Sequence, residues 1–362
     1  MSDPVSALLA DIVHETAFGN PWHSLAAATE GLSDADLAYK PVPGIGSDWG
    51  EDDSPPRVLT PRHIFYHLAW AAEAYGNGLA ARTADATEDT WDALHPWRRS
   101  KSARRLVKIA QTALERLCAR ARGVHDVDLL APSGIWDDFV GDGSSAYMGF
   151  VLMDGGVLHT AWHLGQLAML IGWRALQQTH PLTVPEGLAG PQAPYPGNRN
   201  WADLHLASRT ETCVRLLEAA HRESPFHSIC RVLEGASPEE LRWSAFPHRW
   251  GPLIAIRVAH CKVIYADQAF GEGTLTWGEC DSLLGTTWTV PTWERAVAAM
   301  DRAHEFLVER VARATDADLS RLNPMHHKVP MTGWQVVASM AQHDAWHAGQ
   351  IAIMRDVCRA LS

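Results

Sequence analysis

HTAWHLGQLAML, residues 159–170, and HDAWHAGQIAIM, residues 343–354, share the pattern H-x-A-W-H-x-G-Q. A second pair stands earlier in each half. NPWHSLAAATEGLSDADLAYKP, from Asn20, matches SPFHSICRVLEGASPEELRWSA, from Ser224, without a gap, so that His23 falls on His227 and Gly31 on Gly235. Two matches in the same order indicate tandem copies of one unit. Between them, PLTVPEGLAGPQAPYPGNRN at 181–200 carries five prolines and three glycines, which forbid a helix there. The expected organisation is therefore a domain over 1–180, a linker over 181–200 and a second domain over 201–362.

Each copy reads as helical. Apolar spacing of helical period without internal proline covers 25–31, 62–75, 103–121 and 148–176, and again 229–235, 254–269, 293–314 and 333–360. Ser237-Pro-Glu-Glu240 has the form of a helix N-cap, with Pro at N1 and Glu at N3, and Ser33 to Asp36 is its looser counterpart. Strand-type alternation is scarce. The expected fold class is all-α: two tandem four-helix bundles, each with a long Trp-rich crossover (77–101 and 272–292) that contains Trp91, Trp97, Trp277 and Trp288.

Composition narrows the setting. Apolar residues at 46% and charged residues at 20% suit packed cores with a polar surface, and a net charge of −11 argues against nucleic acid or anionic lipid as partner. Six cysteines lack C-x-x-C spacing, which excludes a zinc ribbon and points to a reducing, cytoplasmic setting. The opening MSDPVSALLADIVHE lacks the basic segment of a secretory signal. The apolar run 147–173 is long enough to span a bilayer, but Asp154, His159 and His163 inside it mark a buried bundle helix.

Nineteen histidines in 362 residues give about one H-x-x-x-H pair by chance, so a lone pair means little. Here two of three pairs, His159/His163 and His343/His347, occupy matching repeat positions; the third is His63/His67. Residues four apart share a helix face, so two imidazoles can converge on one ion. A third must come from another helix. Aligning His67 with His260, the one histidine on the equivalent second-half helix, proposes two metal triads: His67, His159, His163 and His260, His343, His347. Three imidazoles leave coordination positions open, the pattern of a catalytic zinc site, and nickel or iron accept the same set. Gln166 and Gln350, three residues past the last ligand, are expected to support it, and His23 and His227 to line the pocket. Trp162 and Trp346 read as packing residues. The run Arg98, Arg99, Lys101, Arg104, Arg105 reads as a solvated face. Asp154 and Asp344 are unmatched and carry no expected role.

A helix-two histidine followed by H-x-x-W-H-x-G-Q resembles the DinB-like superfamily, also called YfiT-like metal-dependent hydrolases. Both halves carry the resemblance. It implies a four-helix bundle with a three-histidine metal site at one end, dimers that two fused copies would imitate within one monomeric chain, and chemistry that includes mycothiol-, bacillithiol- and glutathione-dependent transfer. The leading expectation is an enzyme that transfers a mycothiol-type thiol to an electrophilic small molecule. The metal would lower the thiol pKa, which fits the lack of a Ser-His-Asp or Cys-His arrangement. The alternatives are a metal-dependent hydrolase and a non-enzymatic metal- or ligand-binding stress protein.

Overall fold

A computed structural model describes residues 4–40, 60–80, 100–131, 147–177, 208–224, 227–237, 251–286 and 292–361, with 133, 206 and 240. The linker expected at 181–200, and Trp91, Trp97, Arg98, Arg99 and Trp288, lie outside these residues.

The first half runs α1 (Pro4–His14), α2 (Leu25–Ala28), α3 (Pro61–Ala80), α4 (Ala103–Ala121) and α5 (Thr160–Gln177). The second runs α6 (Arg209–Glu218), α7 (Ile229–Leu233), α8 (Gly251–Phe270), α9 (Trp277–Leu284), α10 (Trp293–Ala312), α11 (Asp316–Ser320) and α12 (Gly333–Leu361). A two-stranded antiparallel ribbon, Leu322–Asn323 with Met331–Thr332, precedes α12. The described residues form an all-α fold apart from that ribbon.

In the first half α3 packs on α4 and α5, and α1 on α4; in the second, α8 packs on α10 and α12, and α6 on both α10 and α12. The fourth bundle member therefore differs from expectation. It is α1 or α6, and the short helices at 25–31 and 229–235 shrink to connectors. The reason is the apolar stripe of α1: Val5, Leu8, Leu9, Ile12 and Val13 are all at most 3% exposed, and each buried aliphatic contributes about 1.5–3 kcal/mol. α9 also stands where a structureless crossover was expected, fixed by a capping box between Thr276 and Glu279 and ended by left-handed Gly285.

Matched sequence positions do matched jobs. Gly31 and Gly235 both take positive φ, +74° and +64°, just after α2 and α7, a conformation costly for other residues. Ser33 and Asp36 close one capping box. Ser237 and Glu240 exchange the same two bonds at 2.9 and 3.1 Å. Each box carboxylate then pairs with an arginine near the end of its half, Asp36 with Arg174 and Glu240 with Arg359.

The two halves meet along α5 and α12. The contact is so close that a Cβ on Gly165 would lie 2.1 Å from the Trp346 carbonyl oxygen, and one on Gly349 would lie 2.1 Å from that of Trp162. The glycine of W-H-x-G-Q is thus a backbone contact repeated across the crossing. We predict that Gly349→Ala forces the helices apart and lowers stability by about 1–3 kcal/mol, as overpacking does. Gly278→Ala, where nothing lies within 4 Å, is the control. Equal melting temperatures for the two variants, measured by circular dichroism, would contradict this account of the contact.

Candidate metal centre

α5 is entered through a three-residue α turn, Met148–Phe150, and a π-helical segment, Val151–His159. π turns break the α-helical register and recur at functional sites. This one ends on His159, buries Asp154, and leads into His163 one turn on. α3 supplies His67. The three rings converge: His67 Nε2 lies 3.0 Å from His159 Nε2, and the ring centroids are 5.1, 4.7 and 4.5 Å apart. One ligand nitrogen from each lies within 4.8 Å of the others. Nitrogens bound to one tetrahedral ion at 2.0–2.1 Å would be about 3.3 Å apart, so the spacing suits an ion.

The protonation states suit it as well. Burial, followed by the nearby His227, lowers the His67 pKa to about 4. Burial, then neighbouring imidazoles, hold His159 and His163 well below the ordinary histidine value. All three are therefore neutral at pH 7, the ligating form. His163 Nδ1–H donates to Gln166 Oε1 at 2.8 Å, which leaves its Nε2 lone pair free and fixes the tautomer. Gln166 thus stands hydrogen-bonded to one ring of the trio.

Three further groups stand around this centre: His227, expected to line a pocket, and Asp154 and Tyr75, which carried no expected role. His227 belongs to the second half, yet its ring stands 5.2 Å from His159 and perpendicular to it, and 5.6 Å from Trp162. Asp154 receives its Nδ1–H at 3.1 Å and is held in turn by Ser224 Oγ at 2.5 Å. Tyr75 lies edge-on to His159 at 5.4 Å; burial and then the Asp154 charge raise its phenol above the ordinary value. A charged residue inside an otherwise apolar run was the available signal for Asp154.

The second half repeats part of this. His343 and His347 bring their Nε2 atoms within 3.1 Å, and His347 Nδ1–H donates to Gln350 Oε1 at 2.8 Å. His23, from the first half, stands 5.2 Å from both His343 and Trp346. The two pocket histidines are thus exchanged between halves, and each is set against the other half's tryptophan.

His260 does not join this pair, which corrects the expected second triad. Its Nδ1–H donates to the Ile256 carbonyl at 2.8 Å, and its Nε2 sits 2.7 Å from Asp281 on α9. The error was one of register. His67 is the seventh residue of α3, and the seventh residue of α8 is Arg257. His260 comes three places later, a rotation of about 300°, which turns it toward α9 and Trp277.

Asp344, unassigned from sequence, lies in the second-half core. Its Oδ2 is 2.6 Å from the fully buried Lys262 Nζ. That ammonium lies 3.1 Å from His221 Nδ1 and 3.3 Å from His304 Nδ1, two rings stacked at 3.9 Å. His221, His304 and Asp344 are spaced as a metal-ligand set, but Lys262 already supplies the cation.

These groups dictate a pH optimum. Burial and then Lys262 lower His304 to about 3, and burial lowers His23 to about 3. Their folded pKa values lie below the unfolded one, so the stability they carry is present above about pH 6.5 and lost as pH falls. His221 is the opposite case. Burial and Lys262 push its pKa down, but hydrogen bonds led by Asp301 and Asp344 outweigh them and raise it to about 9. Its contribution is complete below about pH 6.5 and lost as pH rises through 9. The urea midpoint of the metal-free protein should peak near pH 7 and fall on both sides; a midpoint that rises steadily from pH 5 to 10 would contradict these assignments.

No helix among the described residues is long and apolar enough to cross a membrane. No curated protein and no solved structure matches the chain. Residues 227–351 match the family model of the DinB superfamily, a stretch that holds Arg257 and the His343/His347 pair but not the His67, His159, His163 trio. The similarity to the DinB superfamily is thus carried by the second helical half.

Proposed function

We propose that the chain is a metal-dependent enzyme that activates a low-molecular-weight thiol for transfer to an electrophilic small molecule, with its working centre in the first half. The observation that carries this reading is the convergence of three neutral imidazoles, His67, His159 and His163, beside a fourth, His227, that is oriented by Asp154. A divalent metal such as zinc, held by the first three, would supply a Lewis acid that lowers the pKa of a bound thiol. We further read the two halves as tandem copies that imitate a dimer, in keeping with the matched glycines, capping boxes and crossing.

The residues divide the work. Gln166 holds His163 in the tautomer that presents Nε2. Asp154 holds the His227 Nδ1 proton, which leaves Nε2 of His227 to accept the proton that a thiol gives up. Trp162 and Tyr75 flank the rings and limit water around them.

The Asp154–His227 pair also supports a second reading, metal-assisted hydrolysis, because a water nucleophile needs such a base. Incubation of the metal-loaded protein with mycothiol or glutathione and monochlorobimane distinguishes the two: metal-dependent conjugate formation supports transfer, and cleavage of esters or amides supports hydrolysis. If neither occurs, the chain acts as a binding protein.

We expect elemental analysis to find one zinc per chain, lost in His163→Ala and kept in His347→Ala; zinc kept in both His163→Ala and His67→Ala would refute the ligand set. Asp154→Asn should keep the zinc and lower turnover roughly 10²-fold or more, as loss of general-base assistance does. Full turnover in that variant would remove Asp154 from the reaction.

A further inference from the structure

We propose that the second histidine site, around His343 and His347, binds a small monocarboxylate with an apolar body. This stands apart from the metal reading of the first half.

The argument starts from register. α3 and α8 are both 20 residues long. Tyr75 and Tyr265 are each the fifteenth residue, and His67 and Arg257 each the seventh. The position that completes the trio in the first half is therefore an arginine in the second. A guanidinium has no lone pair to give and stays protonated, so it cannot ligate an ion, and its charge repels one. Its planar fork matches a carboxylate with two parallel hydrogen bonds.

The surroundings of Arg257 leave that fork available. It is exposed, and it makes no hydrogen bond or ion pair with any described residue. Its charge bears on His23 and His343, and on Cys261 and Tyr265 of its own helix, in keeping with the register that matches it to His67. Lys262, the other cation that acts on His343, is neutralised by Asp344. His343 is 5% exposed, and neither its Nδ1 nor that of half-buried His23 has a hydrogen-bond partner among the described residues.

Charge selects the ligand class. One guanidinium without a partner among the described residues, beside His23 and His343 held neutral by burial, balances a single negative charge, and a phosphate dianion would leave one charge uncompensated. Trp346, whose ring lies 5.2 Å from that of His23, adds aromatic surface for an apolar body.

The probe is 4-fluorobenzoate, followed by fluorine NMR on the full chain. We expect saturable binding that weakens at least tenfold in Arg257→Gln and is unchanged in His67→Ala. Arg257→His, which restores a third imidazole at the matching position, should gain one zinc equivalent over the parent chain. The proposal is overturned if 4-fluorobenzoate does not bind, if Arg257→Gln binds it as well as the parent does, or if equimolar inorganic phosphate displaces it. It is also overturned if Arg257→His gains no zinc, or if the parent chain holds a zinc that is lost in His347→Ala. A parent chain with no zinc in its first half would refute the metal reading there and leave the fluorobenzoate result standing.

Discussion

The architecture depends on the close backbone crossing of α5 and α12. Two helices can come this near only where neither carries a side chain, and Gly165 and Gly349 meet that requirement on opposite sides of the same contact. The tryptophan whose carbonyl each glycine touches also sets its ring against a histidine from the opposite half. His163 and His347 follow one residue after these tryptophans, so the crossing fixes at once the spacing of the halves and the placing of both histidine pairs. The W-H-x-G-Q motif reads in this light as a packing motif into which chemistry has been set.

From that shared frame the halves diverge by a few residues. The first keeps its third imidazole and adds Asp154 inside a π segment, where the wider turn buries the carboxylate against Ser224 and His227. The second replaces the imidazole with Arg257 and fills its core with Lys262, Asp344, His221 and His304. A buried ion pair of this kind is costly to desolvate and contributes little net stability unless its geometry is good. Here the 2.6 Å contact and the flanking imidazoles supply that geometry.

Much of this was legible in the sequence. The helices appeared as apolar periodicity, because a bundle core imposes that period directly. His159 with His163 and His343 with His347 stood out because one helix fixes their relation and the repeat removed the chance matches. The same holds for Gly31 with Gly235 and for the two capping boxes, which are local constraints. Relations between elements were harder to read: His67 meets His159 and His163 as expected, but its counterpart does not. His260 was chosen as the third ligand because it is the one histidine on its helix, but a shift of three residues turns a side chain to another neighbour, and residue type carries no information about register. The role of α1 was missed because its stripe is short and has no motif beside it. His23 and His227 are expected from sequence to line a pocket, but no pattern along the chain shows that each stands against the tryptophan of the other half.

That exchange has a consequence for how such a protein can evolve. In a symmetric pair of identical chains, any change to one centre is made in the other as well, so the two must remain alike. Covalent joining removes this coupling. Within one chain each half can hold residues that the other lacks, Arg257 and Lys262 in the second and His67 and Asp154 in the first, while the reciprocal placing of His23 and His227 ties each site to the opposite half. The chain is thus free to hold two different chemistries and is bound to keep both halves together.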